Sequence, residues 1–345
     1  MLKKILLFAF VFSFFAINAQ TKYHLGVVAF YNLENLYDTI DDEFVDDAEY
    51  LPNSAKVYNS EKYKQKLESL ERVLSEIGVE INSEGPGILG VAEIENKRVL
   101  KDLINMPKLK NRGYKIAHFD SKDARGVDVG LLYNPKYYKI IESDKLLVDL
   151  SEGNSKNYTR DILWTKGLFM GEELHVFVGH WPSRRGGEEA SKAKRCEAAS
   201  VIRQKIDSIQ LQNPNANIIV MGDLNDDPTS YSVVECLKAN WQEKKLDDKI
   251  LYNPYANYYL SGIGTLAYQD AWNLFDQIII STPMLSNKNG LIFHKAEIFN
   301  KSYLKNLTGQ FKGYPFRTFV GDYFQGGYSD HFPTYIILKK EVSKP

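Results

Sequence analysis

The sequence places polar residues of the types used in hydrolytic chemistry directly beside apolar runs. Four groups of these residues follow an apolar run, and two groups precede one. In chain order the groups are Asn32, Glu93, His180, Asp223 with Asn225, Asp276, and Asp330 with His331. If all six groups meet at one edge of a sheet, the last two strands must run antiparallel to the first four. The pattern therefore predicts mixed sheets and disfavours an all-parallel dinucleotide-binding fold, whose Gly-rich phosphate loops are also absent from the sequence.

Three of these residues offer oxygen ligands for a metal ion. Glu93 and Asp330 supply carboxylates, and Asn32 supplies an amide oxygen. Hard oxygen ligands suit Mg²⁺ or Mn²⁺, and Ca²⁺ is a further option. The sequence has no cluster of cysteines and no His-x-x-x-His motif, which disfavours zinc. We therefore expect Asn32, Glu93 and Asp330 to bind a divalent cation, with Mg²⁺ favoured.

The two histidines supply the proton chemistry. His180 and His331 each lie near an acidic residue, where an imidazole can orient water, donate to a phosphoryl oxygen or protonate a leaving group. Asp276 is the candidate partner that would fix the tautomer of His331. A divalent metal combined with His, Asp and Asn is suited to hydrolysing a phosphate ester without a covalent enzyme intermediate.

Each residue also has a structural interpretation when it is taken alone. A carboxylate at a strand end is commonly a turn or capping residue, and a single histidine is commonly a hydrogen-bonded structural residue. The ordered occurrence of all six groups beside strand signals favours catalysis. In the acidic stretch 38–49 a solvated loop is favoured over a calcium site, because the EF-hand spacing and glycine are missing. The aromatic residues within 252–272 fit either base stacking or the packing of a long loop.

Hydrophobic patterning indicates the elements that must position these side chains. Helical spacing of apolar residues predicts helices at Glu61–Ile77 and Ser191–Leu211. Apolar, β-rich runs predict strands, several of them with both faces covered. The predicted strands are Leu25–Tyr31, Gly87–Ala92, Val127–Tyr133, Leu174–Val178, Asn217–Met221, Gln277–Ser281 and Phe332–Leu338. Strands mixed with helices indicate a layered α/β protein.

Two segments lack this patterning. Residues 238–272 and 300–328 are rich in Tyr, Asn and Gly and are predicted to form long surface loops, where binding residues often lie. The chain contains no internal repeat and no low-complexity linker. A single domain covering residues 20–345 is the simplest organisation.

Composition limits the class of protein. The 345 residues are 44% hydrophobic and 25% charged, which excludes a mainly disordered chain or a disulfide framework. Lys and Arg number 43 against 44 Asp and Glu, so no global positive field indicates a protein that coats nucleic acid. A local phosphate-binding cleft remains compatible with this balance. Cys196 and Cys236 can either pair in an exported protein or stay free.

The N-terminus has the pattern of a secretory signal. Lys3 and Lys4 precede an apolar run that ends near Ile17, and Ala19 offers a small residue for cleavage. The alternative is an anchoring transmembrane helix, for which the run is short because a span needs roughly 20 residues. We expect residues 1–19 to be removed and the mature protein to be secreted or periplasmic, without stable membrane insertion.

Several motifs in this order resemble the endonuclease/exonuclease/phosphatase superfamily, which includes pancreatic-type deoxyribonuclease, neutral sphingomyelinases and inositol polyphosphate phosphatases. The resemblance covers nearly the whole mature chain and is closer to secreted bacterial nuclease-like members than to the lipid or inositol enzymes. Its most specific motifs are Gly222-Asp223-x-Asn225 and Ser329-Asp330-His331. The motifs are "FYNLEN", "GVAEIEN", "GVDVGLLYNP", "GHWPSRRGG", "VMGDLNDDPTS", "FDQIIIS" and "GGYSDHFPTYII".

The resemblance implies a four-layer α/β sandwich, in which two mixed β-sheets pack face to face with helices outside and the active site lies at one sheet edge. Asn32, Glu93 and Asp330 match metal-site positions of the family, and His180 matches a histidine that contacts the scissile phosphate. Asp223 and Asn225 match the pair that positions the attacking water and the phosphate. His331 matches the catalytic histidine, and Asp276 matches its partner. The family leaves two choices open: Asp223 or the Asp276–His331 pair as general base, and one or two metal ions.

The function implied by these residues is a secreted, Mg²⁺-dependent phosphodiesterase acting on DNA or RNA, working as a monomer. A phosphatase or phospholipase acting on a small phosphate ester, an inositol phosphate or a phospholipid head group is the alternative, since it would use the same core residues. Arginines near the motifs are candidates for binding phosphate in a bidentate manner. They are Arg125, Arg184 and Arg195, and for Arg195, within a predicted helix, a surface salt bridge is the competing interpretation.

Overall fold

The computed structural model describes residues 22–151, 156–247, 249–286 and 290–342. The predicted signal segment, residues 1–19, lies outside the described residues. Within them, no helix combines the length and the apolar character needed to cross a bilayer.

The first large sheet has six strands. In spatial order the strands are β14 (Ile292–Ile298), β17 (Thr334–Glu341), β1 (Tyr23–Leu36), β2 (Ile88–Ile94), β4 (Asp128–Tyr133) and β3 (Lys115–His118). The central strands β1 and β2 are parallel, and their neighbours β17 and β4 run antiparallel to them.

The second large sheet has seven strands. In spatial order the strands are β5 (Tyr138–Leu146), β6 (Ile162–Phe169), β7 (Glu172–His180), β8 (Ile218–Asp223), β13 (Asp276–Ser281), β10 (Leu251–Tyr252) and β9 (Ala239–Asn240). The central strands β7 and β8 are parallel, and β13 runs antiparallel to β8.

This topology confirms the predicted mixed sheets. The strands that follow their polar groups, β13 and β17, are antiparallel to strands whose polar groups lie at the other end, after the strand. A strand whose last residues lie in the site and a strand whose first residues lie there can therefore meet at the same edge of a sheet.

The described residues contain five α-helices. They are α1 (Ser60–Glu76), α2 (Lys97–Ile104), α3 (Pro107–Lys110), α4 (Glu188–Gln212) and α5 (Ala256–Leu260). Asn59 caps α1 by accepting a hydrogen bond from the backbone N–H of Lys62, and Asn96 caps α2 in the same way. The two helices predicted from apolar spacing correspond to α1 and α4, whereas the other three were not predicted.

The core is layered because alternate residues of each central strand face opposite sides. In β1, Val28 and Phe30 pack in a cluster shared by both sheets, whereas Val27 and Tyr31 pack beneath α1 and α2. On the other side of the second sheet, Phe177 belongs to a cluster with the buried face of α4. Helices outside two packed sheets form the four-layer sandwich that the resemblance implied.

Close approach of two strands explains the glycine that precedes Asp223. Gly222 of β8 pairs with Gly179 of β7, and a Cβ atom on Gly222 would lie 2.1 Å from the carbonyl oxygen of Gly179. A side chain at position 222 would therefore separate the strands that carry His180 and Asp223.

The segments predicted as long loops contain short elements of their own. A hairpin is formed by β11 (Leu266–Tyr268) and β12 (Ala271–Asn273), and another by β15 (Phe319–Val320) and β16 (Tyr323–Phe324). Cys196 of α4 and Cys236, in a short π-helical turn at Ser232–Cys236, form a disulfide. The paired alternative for the two cysteines is therefore the one found in the structure.

Candidate active site

The structure joins all eight predicted polar residues in one network where the two sheets meet. Asn32 and Glu93 belong to β1 and β2 of the first sheet, and Asp223 belongs to β8 of the second. The amide nitrogen of Asn32 donates to Glu93 Oε1 at 3.1 Å and to Asp223 Oδ2 at 3.0 Å. One side chain therefore connects the carboxylates of both sheets.

The amide of Asn32 is oriented by the backbone that follows it. The β1–β2 register shifts after Asn32, and the backbone N–H of Glu34 donates to Asn32 Oδ1 at 2.9 Å. With its oxygen turned toward Glu34 and its nitrogen toward the carboxylates, Asn32 bridges two acids. The prediction that Asn32 supplies an oxygen ligand to a metal ion stays a prediction.

Two site residues have backbone angles that are unusual for residues other than glycine. Glu93 has φ of 57° and lies where the pairing of β2 with β4 shifts, and Asn225 has φ of 48°. The left-handed conformation costs such a residue of order 1 kcal/mol or more and persists where the surroundings require it. At Glu93 the backbone N–H of Asn35 donates to Oε2 at 3.0 Å, which holds the carboxylate in place.

Asp276 partners His331, as the sequence predicted. Asp276 Oδ2 lies 2.7 Å from His331 Nδ1 and accepts a hydrogen bond from Thr265 Oγ1 at 2.5 Å. The other ring nitrogen, Nε2, lies 3.9 Å from Asp223 Oδ2 and 3.9 Å from Asp330 Oδ1. The carboxylate therefore directs Nε2 of the imidazole toward the centre of the site.

His180 reaches the same centre from β7. Its Nε2 atom lies 3.7 Å from Asp223 Oδ2 and 3.9 Å from Glu93 Oε1. Behind it, buried Arg160 donates to the backbone oxygens of His180 and Trp181 and pairs with Asp123 at 3.2 Å.

The surroundings shift the pKa values of the two histidines in opposite directions. Burial lowers the pKa of His180 well below its ordinary value, and the positive charges of Arg160 and Arg125 add to the effect. Burial also disfavours the charged form of His331, but the carboxylates of Asp276, Asp223 and Asp330 together outweigh it and raise the pKa of His331 well above its ordinary value. At neutral pH the site therefore contains one neutral imidazole and one imidazolium.

Asp223 combines a central position with a shifted pKa. Burial raises the pKa of this carboxyl to about 7; His331 opposes the shift and Asp276 adds to it. A carboxyl group with a pKa near neutrality can accept a proton from water and return it, which is what a general base must do.

The donor set fits a divalent cation. Glu93, His180 and Asp223 offer ligand atoms that all lie within 4.8 Å of one another. Among the described residues, no lysine or arginine forms an ion pair with Glu93 or Asp223. Two adjacent carboxylates that pair with neither lysine nor arginine match the oxygen-rich, anionic environment that Mg²⁺ and Mn²⁺ prefer.

Asp330 is held by a chain of charges that sequence reasoning did not find. Arg317 Nη2 donates to Asp330 Oδ2 at 2.9 Å, and Arg317 Nε lies 3.3 Å from Glu34 Oε1. Fully buried Lys66 of α1 donates to Thr318 Oγ1 and to a backbone oxygen of residue 328. Arg317 lies in a segment predicted only as a loop, and its partners come from distant parts of the chain, so no local pattern marked it.

The three candidate arginines have different environments. Arg125 is about half exposed, pairs with Asp123 at 3.3 Å and contributes to the electrostatic environment of His180. Arg184 is bound to the loop after Asp223, where it donates to the backbone oxygen of Asn225 at 3.0 Å and pairs with two acids. Of the three, Arg125 has the guanidinium that is most accessible to a phosphate.

Arg195 does not lie at the site surface. Its side chain is 0% exposed, and its Nε atom pairs with Asp226 at 2.6 Å. The phosphate-binding interpretation of Arg195 therefore finds no support, and neither does the surface salt bridge, because the pair is buried. The helical pattern of 191–211 showed that the residue lies on a helix but not that it lies on the buried face.

Comparison with known protein families identifies the family of the chain. A profile of the endonuclease/exonuclease/phosphatase family matches residues 27–340. Among curated proteins, no sequence matches the chain.

Solved structures share the fold at low sequence identity. A family protein from Bacteroides thetaiotaomicron superposes with a TM-score of 0.57 at 15% identity, over 93% of this chain and all of that one. A mannosyl-6-phosphatase from the same organism gives 0.54 at 17% identity, over 91% of this chain and 99% of its own. TDP2 from D. rerio, in complex with a single-strand DNA product, gives 0.54 at 14% identity, over 91% and 98% of the two chains.

The family match covers both sheets and every residue of the network around Asp223. The likeness to solved structures shows the same fold. The chain belongs to the endonuclease/exonuclease/phosphatase family.

Proposed function

We propose that the chain is an exported, metal-dependent hydrolase of phosphate esters, with the phosphodiester bonds of nucleic acids as its first candidate substrate. The observation that carries the proposal is the position of Asp223. This carboxylate shares the amide of Asn32 with Glu93 and lies within 4 Å of both His180 and His331.

Glu93, with Asp330 beyond His331, would hold Mg²⁺, which leaves Asp223 for proton transfer. When bound, such an ion neutralises charge on the phosphate and lowers the pKa of water. The chain's own part is to keep these two carboxylates in place through the amide of Asn32 and the guanidinium of Arg317.

Asp223 is our candidate for the general base, which selects one of the two possibilities left open by the sequence. Its pKa near 7 suits it to accept a proton from the attacking water. His331 is then the donor: it carries a proton on Nε2, and Asp276 stabilises its positive charge.

The remaining polar groups stabilise charge on the phosphate oxygens. Neutral His180 can donate from Nε2 or accept there, depending on its tautomer. The amide of Asn225 uses one hydrogen for the Trp181 carbonyl oxygen at 3.0 Å, which leaves its second hydrogen for a substrate oxygen. Arg125 adds a positive charge at the edge of the site.

A plasmid assay tests this proposal. Purified residues 20–345 are incubated with supercoiled plasmid in Mg²⁺, in Mn²⁺, in Ca²⁺ and in EDTA, beside the variant His331→Ala. Nicking or degradation that needs both a divalent ion and His331 would support a nuclease. If the plasmid stays intact with every ion, double-stranded DNA is not the substrate, and single-stranded RNA would be tried next.

A small phosphate ester is the second candidate substrate. A cavity of about 360 Å³ adjoins Asp330 and Arg317, a size that fits a small organic group. A solved structure with the same fold is a mannosyl-6-phosphatase. Release of inorganic phosphate from a panel of phosphomonoesters, measured under the same metal conditions, decides between the two candidates.

Export, domain organisation and oligomeric state belong to the same proposal. We expect cleavage after Ala19, export of residues 20–345 as a single domain, and a monomer. The N-terminal sequence of protein recovered from the culture medium or the periplasm tests the first two, and light scattering of the purified protein tests the third.

A further inference from the structure

A cavity lies beside Asp330, at the edge of the candidate active site, and the proposed hydrolytic chemistry assigns no role to it. It has a volume of about 360 Å³, and Asp330 and Arg317 are among the residues that line it. Asp330 Oδ1 is only 3.9 Å from His331 Nε2. A phosphate held near His331 would therefore carry its attached group into or past this cavity.

The cavity walls are built from segments that the structure ties together. The tip of the β11–β12 hairpin is held by Tyr314, whose hydroxyl donates to Asp270 Oδ1 at 2.5 Å and accepts from the Asp270 backbone N–H at 2.8 Å. Trp272 packs edge-on against Tyr314 and stacks on Phe332, the residue after His331. The cavity is therefore connected to the catalytic segment by side-chain packing.

The chemistry of the walls favours an uncharged ligand. The single arginine of the lining, Arg317, is already paired with both Glu34 and Asp330. The other charged lining residues are the acids Asp270 and Asp330, so no unpaired positive charge faces a second phosphate. A stretch of nucleic-acid backbone would meet acids here rather than cations.

The same walls offer aromatic surface and amide groups. Tyr268 and Phe311 line the cavity with exposed rings, and Gln269 and Gln310 contribute exposed amides. The buried Oε1 atom of Gln325, another lining residue, has no hydrogen-bond partner among the described residues. Aromatic faces combined with side-chain amides and carboxylates bind rings that carry hydroxyl or amide groups.

We propose that this cavity binds one uncharged ring of the substrate, rich in hydrogen-bonding groups and attached to the scissile phosphate. A sugar and the nucleoside part of a nucleotide are two sources of this chemistry. The inference rests on the proposed function, because the ring is placed by the phosphate that it carries.

The test compares esters that differ in the ring and not in the phosphate. Glucose 6-phosphate and adenosine monophosphate carry a ring, and glycerol phosphate carries none. Tyr268→Ala and Phe311→Ala remove aromatic surface from exposed positions, and Tyr323→Ala is the matched control. Tyr323 is 72% exposed on the neighbouring hairpin and does not line the cavity.

We expect Tyr268→Ala and Phe311→Ala to raise KM for a ring-bearing ester about tenfold, the typical effect of removing one aromatic stacking partner. KM for glycerol phosphate and the kinetics of Tyr323→Ala should stay within about twofold of wild type. The ester that shows the selective loss identifies the ring as sugar or nucleoside. Equal losses on all three esters, or no loss on either ring-bearing ester, would overturn the proposal.

A binding measurement separates this inference from the proposed function. Calorimetry with glucose 6-phosphate or adenosine monophosphate uses the Asp223→Asn variant, in which hydrolysis is expected to fail. Binding that is weakened by Tyr268→Ala and not by Tyr323→Ala would support the cavity proposal. It would do so even if the wild-type protein hydrolysed none of the esters, because failure of hydrolysis would contradict only the proposed function. Absence of binding by both probes would overturn the cavity proposal, whatever the activity.

Discussion

At the scale of single residues, the site depends on two histidines that share one centre and differ in charge. His180 is buried among positive charges, and His331 is paired with a carboxylate. The same side chain can therefore serve as a neutral hydrogen-bonding group at one position and as a proton donor at the other.

The pairing of His331 with Asp276 gives a residue-scale prediction. The change Asp276→Asn removes the negative charge that stabilises the imidazolium, so we expect kcat for phosphate-ester hydrolysis to fall about 10² to 10⁴-fold. The exposed acid Asp322 allows a matched control, Asp322→Asn, which should leave kcat near wild type. Equal effects of the two changes would show that Asp276 does not support the donor.

A second residue-scale prediction concerns pH and lies away from the site. His175 of β7 is 5% exposed and stacks on Trp164, and burial lowers its pKa from the ordinary 6.5 to about 4. Between these two values the unfolded chain binds a proton at this residue and the folded chain does not. The free energy of unfolding must therefore decrease as the pH falls through that window.

Urea denaturation at about pH 7 and about pH 5 measures this contribution. Wild type should lose roughly 1 to 2 kcal/mol more over the interval than His175→Gln, which does not titrate. His24→Gln is the control, since His24 is exposed. If the His175→Gln variant lost as much stability as wild type, His175 would not be the group that titrates.

At the scale of elements, the loop after β8 is fixed by a helix and a turn on the outer side of the second sheet. Arg195 of α4 pairs with Asp226, and Ser232 of the π-helical turn donates to the same carboxylate at 2.5 Å. The disulfide between Cys196 and Cys236 joins the two elements one residue from Arg195 and at the end of the turn. Asn225 therefore lies in a loop that is held by a helix and a turn, and a disulfide joins these two elements.

Removing that crosslink should destabilise the fold. The disulfide closes a loop with a sequence separation of 40 residues, for which the loss of unfolded-state constraint corresponds to roughly 3 to 4 kcal/mol. The double variant Cys196→Ala/Cys236→Ala should therefore unfold at a clearly lower urea concentration than oxidised wild type. Wild type treated with a reductant is the control that separates loss of the bond from loss of the sulfur atoms.

An unchanged urea midpoint in both the double variant and reduced wild type would contradict this account. A lower midpoint in the double variant alone would assign the effect to side-chain packing instead of the crosslink.

At the scale of the whole molecule, the site exists only when both sheets are assembled. Asn32 and Asp223 are 191 residues apart in the chain and are joined by one hydrogen bond across the two sheets. Each sheet brings a carboxylate into the site, Glu93 from the first and Asp223 from the second. The spacing between these acids, and with it the fit to a metal ion, is therefore a property of sheet packing.

The sequence was sufficient for the parts of the molecule that repeat a local pattern. The seven predicted strands and the two long helices follow from apolar spacing, and the eight polar residues follow from their positions beside strands. Mixed strand direction could be predicted because polar groups precede β13 and β17 and follow the other strands.

Features set by tertiary contact could not be predicted in this way. The burial of Arg195 depends on which face of α4 meets the sheet, and the role of Arg317 depends on Glu34 from the other end of the chain. The cavity beside Asp330 is formed by segments without periodicity, whose short strands pair only with each other. The orientation of the Asn32 amide likewise depends on the register shift in β1.

The most direct test of the central claim is the dependence of phosphate-ester hydrolysis on free Mg²⁺, measured with bis(p-nitrophenyl) phosphate and p-nitrophenyl phosphate for wild type and Asp223→Asn. The account predicts a rate that rises and saturates with Mg²⁺, disappears in EDTA and falls at least about 10²-fold in the variant. A rate that persists in EDTA, or one that Asp223→Asn leaves unchanged, would contradict the assignment of this network as a metal-dependent hydrolytic site.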